Sequence, residues 1–249
     1  MTKENNIALI TGAGKRIGYH LAKSLSAEGW SIAAHYNQSE ADAVALCETI
    51  NEAGGQAIAI KADLNKEQEV TPLISKVKEK LGLPNLLINC ASVFLKDELE
   101  TLEGKTFDEQ MAINLKAPLL LSKAFAALHQ TSTLQIPANI INITDQRVQN
   151  LNPTFFSYTL SKVGLSAATV TMAQTLAPKV RVNAIAPGPV LQSIHQTAEE
   201  FQKECQGTLL GAGTTPDEIF ETVKFILATK SLTGETITLD GGQRLKWPT

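Results

Sequence analysis

The chain has 249 residues, of which 43% are hydrophobic and 19% charged, and its formal net charge is -3 at pH 7. This composition is typical of a soluble globular protein that is long enough to bury a substantial core. The small negative charge disfavours binding to nucleic acid or to an anionic membrane, and the short apolar runs predict neither a membrane-spanning nor a secretory segment. We therefore expect a cytoplasmic protein with neither kind of partner.

The predicted elements alternate between strand and helix along the chain. Continuous apolar runs indicate strands buried on both faces, and apolar residues at helical spacing indicate the crossovers. The predicted strands are residues 7–11, 30–35, 56–61, 86–89, 139–143, 180–185 and 235–239, and the first predicted helices are 17–25, 40–52 and 66–80. This order predicts one α/β domain over residues 1–249, a Rossmann-type doubly wound parallel sheet of about seven strands with helices on both faces.

Two further features follow from the same pass. Residues 189–213 come after a strand late in the chain and contain Gly207, Gly211 and Gly213, which predicts a mobile lid over a ligand. The three cysteines are widely separated, so the sequence predicts neither a disulfide framework nor a metal site.

The segment Thr-Gly-Ala-Gly-Lys-Arg-Ile-Gly lies directly between the first strand and the first helix. Its glycines permit tight-turn angles and let backbone N–H groups approach a phosphate, while the start of the helix adds positive potential. Alone, such a turn is only a strand-to-helix connection, but its place after the first strand favours a dinucleotide site. The residues predicted to bind the cofactor here are Thr11, Gly12, Gly14, Lys15, Arg16, Ile17 and Gly18.

The end of the second strand indicates which dinucleotide is preferred. A site for NAD usually has Asp or Glu there to bind the ribose 2′-hydroxyl. Residues 35–39 contain no carboxylate to repel a 2′-phosphate, and they offer hydrogen-bond donors to it, which favours NADPH as the cofactor. The alternative for these polar side chains is an ordinary solvated loop. The predicted contacts are Tyr36, Asn37, Gln38 and Ser39.

Tyr158 and Lys162 are the candidate catalytic pair. Their spacing of four residues places both side chains on one face of a helix, one turn apart. A nearby cation favours the phenolate, so we expect Lys162 to lower the pKa of Tyr158 from about 10. A lone Tyr-x-x-x-Lys pattern would more often be an incidental exposed pair.

Together these motifs resemble the short-chain dehydrogenase/reductase family, from Ile7 to Gly242. The glycine turn is similar to the family's Thr-Gly-x-x-x-Gly-x-Gly, with Arg16 at the middle glycine, and the Tyr-x-x-x-Lys pair matches its catalytic motif. The resemblance implies that Asn114 holds a water in a proton relay with Lys162. It also implies further cofactor contacts at Ala62, Asp63, Leu64, Asn89, Cys90, Ala91, Ser92, Thr144, Pro187, Gly188 and Val190.

Asp145 stands thirteen residues before Tyr158, where the family normally has a serine. A serine hydroxyl donates a hydrogen bond to a ketone oxygen, whereas an ionised carboxylate repels that oxygen. Thr144 is a poor substitute, because a shift of one residue along a strand points its side chain to the opposite face. A nitrogen heterocycle fits better, since its N–H groups bind a carboxylate and reduction of its C=N bond requires a proton on nitrogen.

Within the family, the chain resembles the pteridine reductases and the dihydromonapterin reductases. This resemblance rests on Arg16, Asp145, Tyr158 and Lys162, together with the segment Asn-Cys-Ala-Ser-Val-Phe at residues 89–94. The resemblance implies that Phe94 and the nicotinamide enclose a flat pterin, and that Arg16 bridges the pyrophosphate and the pterin. A buried core position is the alternative for Phe94. The predicted substrate contacts are Arg16, Ser92, Phe94, Asp145, Tyr158, Gly188, Pro189 and Leu191.

The sequence thus predicts an NADPH-dependent reductase of a pterin, with 7,8-dihydropterin as the substrate and dihydrofolate or oxidised pterin as further members of the class. Its predicted catalytic residues are Asp145, Tyr158, Lys162 and Asn114. Two alternatives stay open: a reductase of carbonyl compounds or 3-oxoacyl thioesters with a protonated Asp145, and a dinucleotide sensor without turnover. The intact Tyr158, Lys162 and Asn114 argue against the sensor. The family resemblance also implies a homotetramer, with Arg244 and Trp247 near a neighbour's site.

Overall fold

The computed structural model describes residues 6–130 and 138–246. Its strands form one parallel sheet, and their order, from one edge to the other, is β3-β2-β1-β4-β5-β6-β7. This confirms the predicted fold class. The strands are β1 (Ile7–Ile10), β2 (Ser31–Tyr36), β3 (Ala57–Lys61), β4 (Leu86–Asn89), β5 (Ala138–Ile143), β6 (Val180–Pro187) and β7 (Thr236–Leu239).

The helices of the described residues cover both faces of the sheet. The α-helices are α1 (Arg16–Ala27), α2 (Glu40–Glu52), α3 (Glu67–Val70), α4 (Leu73–Leu81), α5 (Gly104–Met111), α6 (Ala117–Gln130), α7 (Phe156–Leu176), α8 (Ala198–Gln206) and α9 (Pro216–Ala228). Short 3-10 turns occur at Leu99–Thr101, Gln146–Val148 and Gln243–Leu245, and a π-helical turn at Ala112–Lys116 joins α5 to α6.

The core consists of two apolar layers, one on each side of the sheet. Successive residues of a strand point to opposite faces, so Leu9 packs with Phe125 of α6 in one layer, whereas Ile10 packs with Leu21 of α1 in the other. All four residues are completely buried. This double coverage explains why the strands are apolar throughout rather than alternating.

The strand order reverses at β1. This strand pairs with β2 on one side, where Ala8 lies opposite Ile32, and with β4 on the other, where Ala8 lies opposite Leu86. The loops that follow β1 and β4 therefore diverge and leave a crevice at the carboxyl edge of the sheet, which is where open α/β sheets bind ligands.

One predicted helix, residues 66–80, is wrong as a single element. The structure divides it into α3 and α4, and Thr71 and Pro72 lie between them. Proline lacks the N–H group that a continuous helix requires at this position, and its ring clashes with the preceding turn. The second helix therefore begins afresh, with Pro72 as its N-cap.

The helical segment Gly104–Gln130 is long and apolar enough to cross a membrane by length and composition alone. Within it, Leu121 and Phe125 are fully buried against the sheet. A helix that supplies the core in this way is typical of a soluble α/β domain.

Candidate active site

A cavity of about 1100 Å³ opens at the carboxyl ends of the strands, above the crevice between β1 and β4. It exceeds the roughly 300–1,000 Å³ of ordinary small-ligand pockets, so it has room for a dinucleotide and a second ring. The predicted residues that line it are Gly12, Lys15, Arg16, Ile17, Gly18, Tyr36, Asn37, Gln38, Ser39, Leu64, Cys90, Ala91, Ser92, Phe94, Thr144, Asp145, Tyr158, Lys162, Pro187, Gly188, Pro189, Val190 and Leu191. The other predicted residues are not part of this lining: Thr11, Gly14, Ala62, Asp63, Asn89 and Asn114.

The glycine turn is packed too closely to accept side chains. Gly12 has a φ of 69°, and a Cβ on it would lie 2.9 Å from the Cα of Ala91. A Cβ on Gly18 would collide with the carbonyl oxygen of Gly12. Thr11 supports the turn from behind, because its hydroxyl oxygen accepts hydrogen bonds from the N–H groups of Cys90 (2.9 Å) and Ala91 (3.0 Å).

Helix α1 begins at the cavity without a side-chain cap. Lys15 is its N-cap residue and makes no capping hydrogen bond. The N–H groups of the first helical turn have no acceptor within the helix, and Arg16, Ile17 and Gly18 all line the cavity. With the helix dipole, they form a site suited to an anion such as the pyrophosphate of a dinucleotide.

His35 is a structural member of this site that the sequence analysis did not identify. Its Nδ1 accepts a hydrogen bond from Gly12 N–H (3.1 Å), and its Nε2 donates one to the carbonyl oxygen of Ala62 (3.0 Å). Burial lowers the pKa of His35 to about 4, so the ring is neutral at pH 7, as one donor and one acceptor require. The sequence signal for this role was a histidine within the mostly apolar strand β2.

Two carboxylates lie at the edge predicted to bind a 2′-phosphate, although residues 35–39 contain none. Asp42 and Glu40 line the cavity, and they pair with Lys15 (3.2 Å) and Lys61 (3.8 Å). These side chains are well exposed, so the ion pairs are weak. Residues 35–39 are free of carboxylates as the sequence analysis stated, and the two acidic groups that follow this stretch each lie beside a lysine.

Asp63, a predicted cofactor contact, is bound by neighbouring residues of its own chain. Its carboxylate accepts a hydrogen bond from Asn37 (3.4 Å) and from the N–H of Asn65 (3.0 Å), and it forms an ion pair with Lys66 (3.3 Å). Asp63 therefore organises the loop after β3 and holds Asn37 at the cavity edge.

Asp145 and Tyr158 meet as the sequence predicts. The Tyr158 hydroxyl donates a hydrogen bond to Oδ2 of Asp145 at 2.9 Å, and the N–H of Arg147 donates one to Oδ1 at 2.8 Å. Thr144 turns away, and its hydroxyl donates to the carbonyl oxygen of Ile185 (3.1 Å). The alternation of side chains at the end of β5 thus gives the cavity a carboxyl group rather than a hydroxyl.

The ionisation of this pair is governed by burial. Asp145 is partly exposed, but most of its surroundings are protein atoms. Desolvation by this burial raises the pKa of its carboxyl group. Desolvation, and then the negative charge of Asp145, raise the pKa of Tyr158 well above 10. The pKa of Tyr158 is therefore raised, not lowered as predicted, because these two effects outweigh the opposing charge of Arg147.

Lys162 lies on the same face of α7 as Tyr158. Its Nζ is 5.6 Å from the centroid of the Tyr158 ring and donates a hydrogen bond to the carbonyl oxygen of Ile143 (2.9 Å). Burial lowers the pKa of Lys162 to about 8, although the charge of Asp145 opposes the shift.

Asn114 lies in the π-helical turn and binds the segment after β4. Its Oδ1 accepts hydrogen bonds from the Ser92 hydroxyl (3.1 Å) and Val93 N–H (2.9 Å), and its Nδ2 donates to Val93 O (2.9 Å) and Ser161 (3.2 Å). The amide is thereby satisfied by protein groups. These contacts fix the segment after β4, and the relay from Asn114 to Lys162 through a water stays a prediction.

Phe94 belongs to an aromatic wall at the substrate end of the cavity. Its ring stacks on that of Phe155, with centroids 3.9 Å apart and planes 8° apart, and meets Tyr158 edge-on at 4.7 Å. The guanidinium carbon of Arg147 lies 5.3 Å from the centroid of the Phe155 ring. Phe94 is therefore at the cavity rather than in the core. Phe155 and Arg147 carried no motif in the sequence.

Arg16 contacts the predicted lid. It has a left-handed φ of 56°, and its guanidinium donates hydrogen bonds to the carbonyl oxygens of Gln192 (2.7 Å) and Leu191 (2.9 Å). His195, another residue that the sequence analysis missed, contacts the carbonyl oxygen of Phe94 through Nε2 (2.8 Å). Arg16 thus joins the phosphate turn to the lid, which differs from its predicted bridge between pyrophosphate and pterin.

The tail of the chain folds back on β7. Arg244 forms an ion pair with the buried Asp240 at 2.7 Å and also donates its N–H to it (2.8 Å). Arg244 is therefore engaged within its own chain, whereas Trp247 lies outside the described residues.

Comparisons with known proteins agree with this geometry. A family model described as enoyl-(acyl carrier protein) reductase matches residues 12–244. A short-chain dehydrogenase/reductase of Armillaria gallica is 30% identical and aligns with 96% of each chain. A 3-oxoacyl-[acyl-carrier-protein] reductase of Synechocystis is 31% identical over 95% of this chain and 96% of its own. The crystal structure of the FolM alternative dihydrofolate reductase 1 of Brucella canis, complexed with NADP, is 39% identical with a TM-score of 0.94 over 98% of this chain and 96% of that one.

Proposed function

The chain belongs to the short-chain dehydrogenase/reductase family, and we propose that it is an NADPH-dependent reductase that adds a hydride and a proton across the C=N bond of a 7,8-dihydropterin. The product is the tetrahydropterin. Dihydrofolate belongs to the same substrate class, and the similarity to an alternative dihydrofolate reductase supports including it. We further propose a cytoplasmic homotetramer.

The observation that carries this proposal is the hydrogen bond between Tyr158 and Asp145. An acidic group at this place binds the N–H and amino groups of a nitrogen heterocycle better than a ketone oxygen. Because the pKa of Asp145 is raised by burial, the pair holds a proton closer to neutral pH than an ordinary carboxyl does. The proton shared between the phenol oxygen and Oδ2 is available to the ring nitrogen.

The cavity residues fit NADPH by shape and by charge. The uncapped start of α1 lines the cavity beside Gly12 and Gly18, and its free N–H groups are suited to a pyrophosphate. A 2′-phosphate would find a cation in Lys15 and hydrogen-bond donors in Gln38 and Ser39. The phosphate would then take the place of the Asp42 carboxylate beside Lys15. When bound, NADPH supplies the hydride. Lys162 would bind the hydroxyls of the nicotinamide ribose.

The aromatic wall supports a flat substrate. Phe94 presents a ring beside the Tyr158 hydroxyl, and Ser92 lines the same end of the cavity. Aromatic rings stack offset and parallel, so a bicyclic heterocycle has a natural partner here. The orientation imposed by stacking keeps the reacting C=N bond beside the proton of the Tyr158 and Asp145 pair.

Replacing Asp145 tests the proposal directly. Asp145→Ala should lower turnover of dihydropterin by on the order of 100-fold or more, because it removes the proton-holding carboxyl. Binding of NADPH, followed by nicotinamide fluorescence, should stay near wild type. Oxidation of NADPH is measured with dihydromonapterin, dihydrobiopterin and dihydrofolate side by side. Full activity of Asp145→Ala would refute the role.

The raised pKa of Asp145 also favours a second candidate, a reductase of ketones or 3-oxoacyl thioesters. A carboxyl that keeps its proton donates a hydrogen bond to a carbonyl oxygen as serine does. A panel of carbonyl compounds distinguishes the two functions in the wild type. Asp145→Ser is the matched variant: under the pterin proposal it loses pterin turnover and gains carbonyl reduction, whereas equal carbonyl activity in both proteins favours the second candidate.

A further inference from the structure

Asp97 is a buried carboxylate that the proposed reaction does not use. It is 3% exposed and lies between β4 and α5, sixty residues before Ser157 of α7. Its oxygens accept hydrogen bonds from Ser157 N–H at 3.1 and 3.3 Å and a short one from the Ser157 hydroxyl. Its carbonyl oxygen accepts one from Phe156 N–H (3.1 Å). We call this set of contacts the Asp97 clasp.

The clasp supplies the cap that α7 lacks locally. The N-cap residue of this helix is Phe155, which has a left-handed φ of 54° and makes no side-chain capping hydrogen bond. A carboxylate is favourable at the start of a helix, because it pairs with free N–H groups and with the positive end of the dipole. The cap therefore comes from a distant segment of the chain.

That segment is itself held in place. Gln110 of α5 is fully buried, and its amide oxygen accepts from Leu95 N–H (3.2 Å) while its amide nitrogen donates to Leu95 O (3.4 Å). Asp97 follows Leu95 by two residues. The clasp thus joins two anchored elements rather than a helix and a free loop.

The residues on either side of the clasp are those of the proposed site. Tyr158 directly follows Ser157, and its hydroxyl meets Asp145 at 2.9 Å. Phe155 lies at the start of the same helix and stacks on Phe94, which is on the same segment as Asp97. A displaced start of α7 would move both contacts together.

We infer that Asp97 is a positioning residue for the proposed reaction, which sets the Tyr158 phenol against Asp145 and the Phe155 ring against Phe94. This inference rests on the proposed proton-delivering role of Tyr158 and Asp145. A misplacement of about 1 Å at a reacting group can cost on the order of 100-fold in rate.

The test compares Asp97→Ala, Asp97→Asn and Ser157→Ala with a cap variant remote from the cavity. Asp97→Ala should lower kcat for dihydropterin by on the order of 100-fold and leave the KM for NADPH near wild type. Asp97→Asn keeps an oxygen for Ser157 N–H and should restore most of kcat. Thr215→Ala removes the capping box of α9, so it should lower Tm by a few degrees without changing kcat.

A readout that needs no substrate separates this inference from the proposed function. The chain has three tyrosines, so the protein labelled with 3-fluorotyrosine gives three ¹⁹F signals, and Tyr158→Phe identifies that of Tyr158. Its signal should shift in Asp97→Ala and Ser157→Ala, while those of Tyr19 and Tyr36 do not. Ser157→Ala gives the answer if Asp97→Ala does not fold. An unchanged Tyr158 signal, or a loss of Tm with wild-type kcat, would overturn the inference. A shifted signal in a protein that reduces no pterin would refute only the proposed function.

Discussion

Three ionisable side chains of the site, Asp145, Tyr158 and Lys162, have their pKa values shifted by burial. For each of them the neutral form is favoured by desolvation, and their mutual charges only reduce or add to that effect. Burial thus raises the pKa values of the two oxygen acids and lowers that of the ammonium. This distinguishes the site from an exposed cluster of the same residues.

Lys162→Met should change how the stability of the fold depends on pH. Burial lowers the pKa of Lys162 to about 8, whereas in the unfolded chain it is about 10.4. Between these values the unfolded chain binds a proton that the folded protein does not, so the wild-type free energy of unfolding rises with pH. The variant lacks this rise, and below pH 8 it should be the more stable protein, by roughly 3 kcal/mol at most.

Urea unfolding at pH 6.5, 8 and 9.5 measures this difference. The loss of the hydrogen bond to Ile143 O reduces the gain by a constant amount, so the slope with pH is the decisive quantity. Lys230→Met, at an exposed position, is the control and should keep the wild-type slope. A stability difference between Lys162→Met and wild type that is the same at all three pH values would contradict the assignment.

Which residues meet at the site was partly predictable. The four-residue spacing predicted that Tyr158 and Lys162 share a helix face, and the family resemblance placed Asp145 with them, as the structure has it. The direction of the Tyr158 pKa shift was not predictable, because it depends on how completely the fold removes water from the phenol. Spacing along a chain carries no such information.

Among the elements, α1 and the lid are joined by one side chain. Arg16 occupies a left-handed position that usually suits glycine, and its guanidinium holds two lid carbonyl oxygens. A non-glycine residue in this region costs about 1 kcal/mol or more. The strain is offset by a contact that only a long, forked side chain makes.

Arg16→Gly should loosen the lid without weakening the fold. Glycine relieves the left-handed strain, so Tm should stay the same or rise, while amide exchange of the lid, residues 189–213, should become faster. Hydrogen exchange with mass spectrometry measures both the lid and the core peptides. Arg16→Lys keeps the charge but loses the fork and should loosen the lid equally; slow lid exchange in both variants would show that Arg16 does not hold it.

The boundaries of the elements show what local patterns predict. Strand β4 was predicted with the bounds that it has, and the apolar runs located the others within about two residues. The break at Pro72 and the π-helical turn around Asn114 were missed. The π-helical turn accompanies the contacts of Asn114 with Val93, and a tertiary contact of this kind leaves no mark in helical periodicity.

For the whole molecule, the alternation of elements was enough to predict the sheet, since parallel strands require crossovers. The closure of the cavity was not predictable in the same way. Arg16 and Gln192 meet across 176 residues, and His195 reaches Phe94 across 101. Contacts so distant in sequence follow from the completed fold and not from any window of it.

The preference for NADPH is a property of the folded molecule and is measurable as stability. A ligand that binds only the folded state adds about 2.7 kcal/mol at 100 times its Kd, or roughly 5–10 °C in Tm for a chain of this size. NADPH should therefore raise Tm in differential scanning calorimetry by more than NADH at equal concentration. Gln38→Asp places a carboxylate at the end of β2, where it repels a 2′-phosphate, and should reduce the NADPH shift while sparing that of NADH. Equal shifts with both dinucleotides in the wild type would contradict the cofactor assignment.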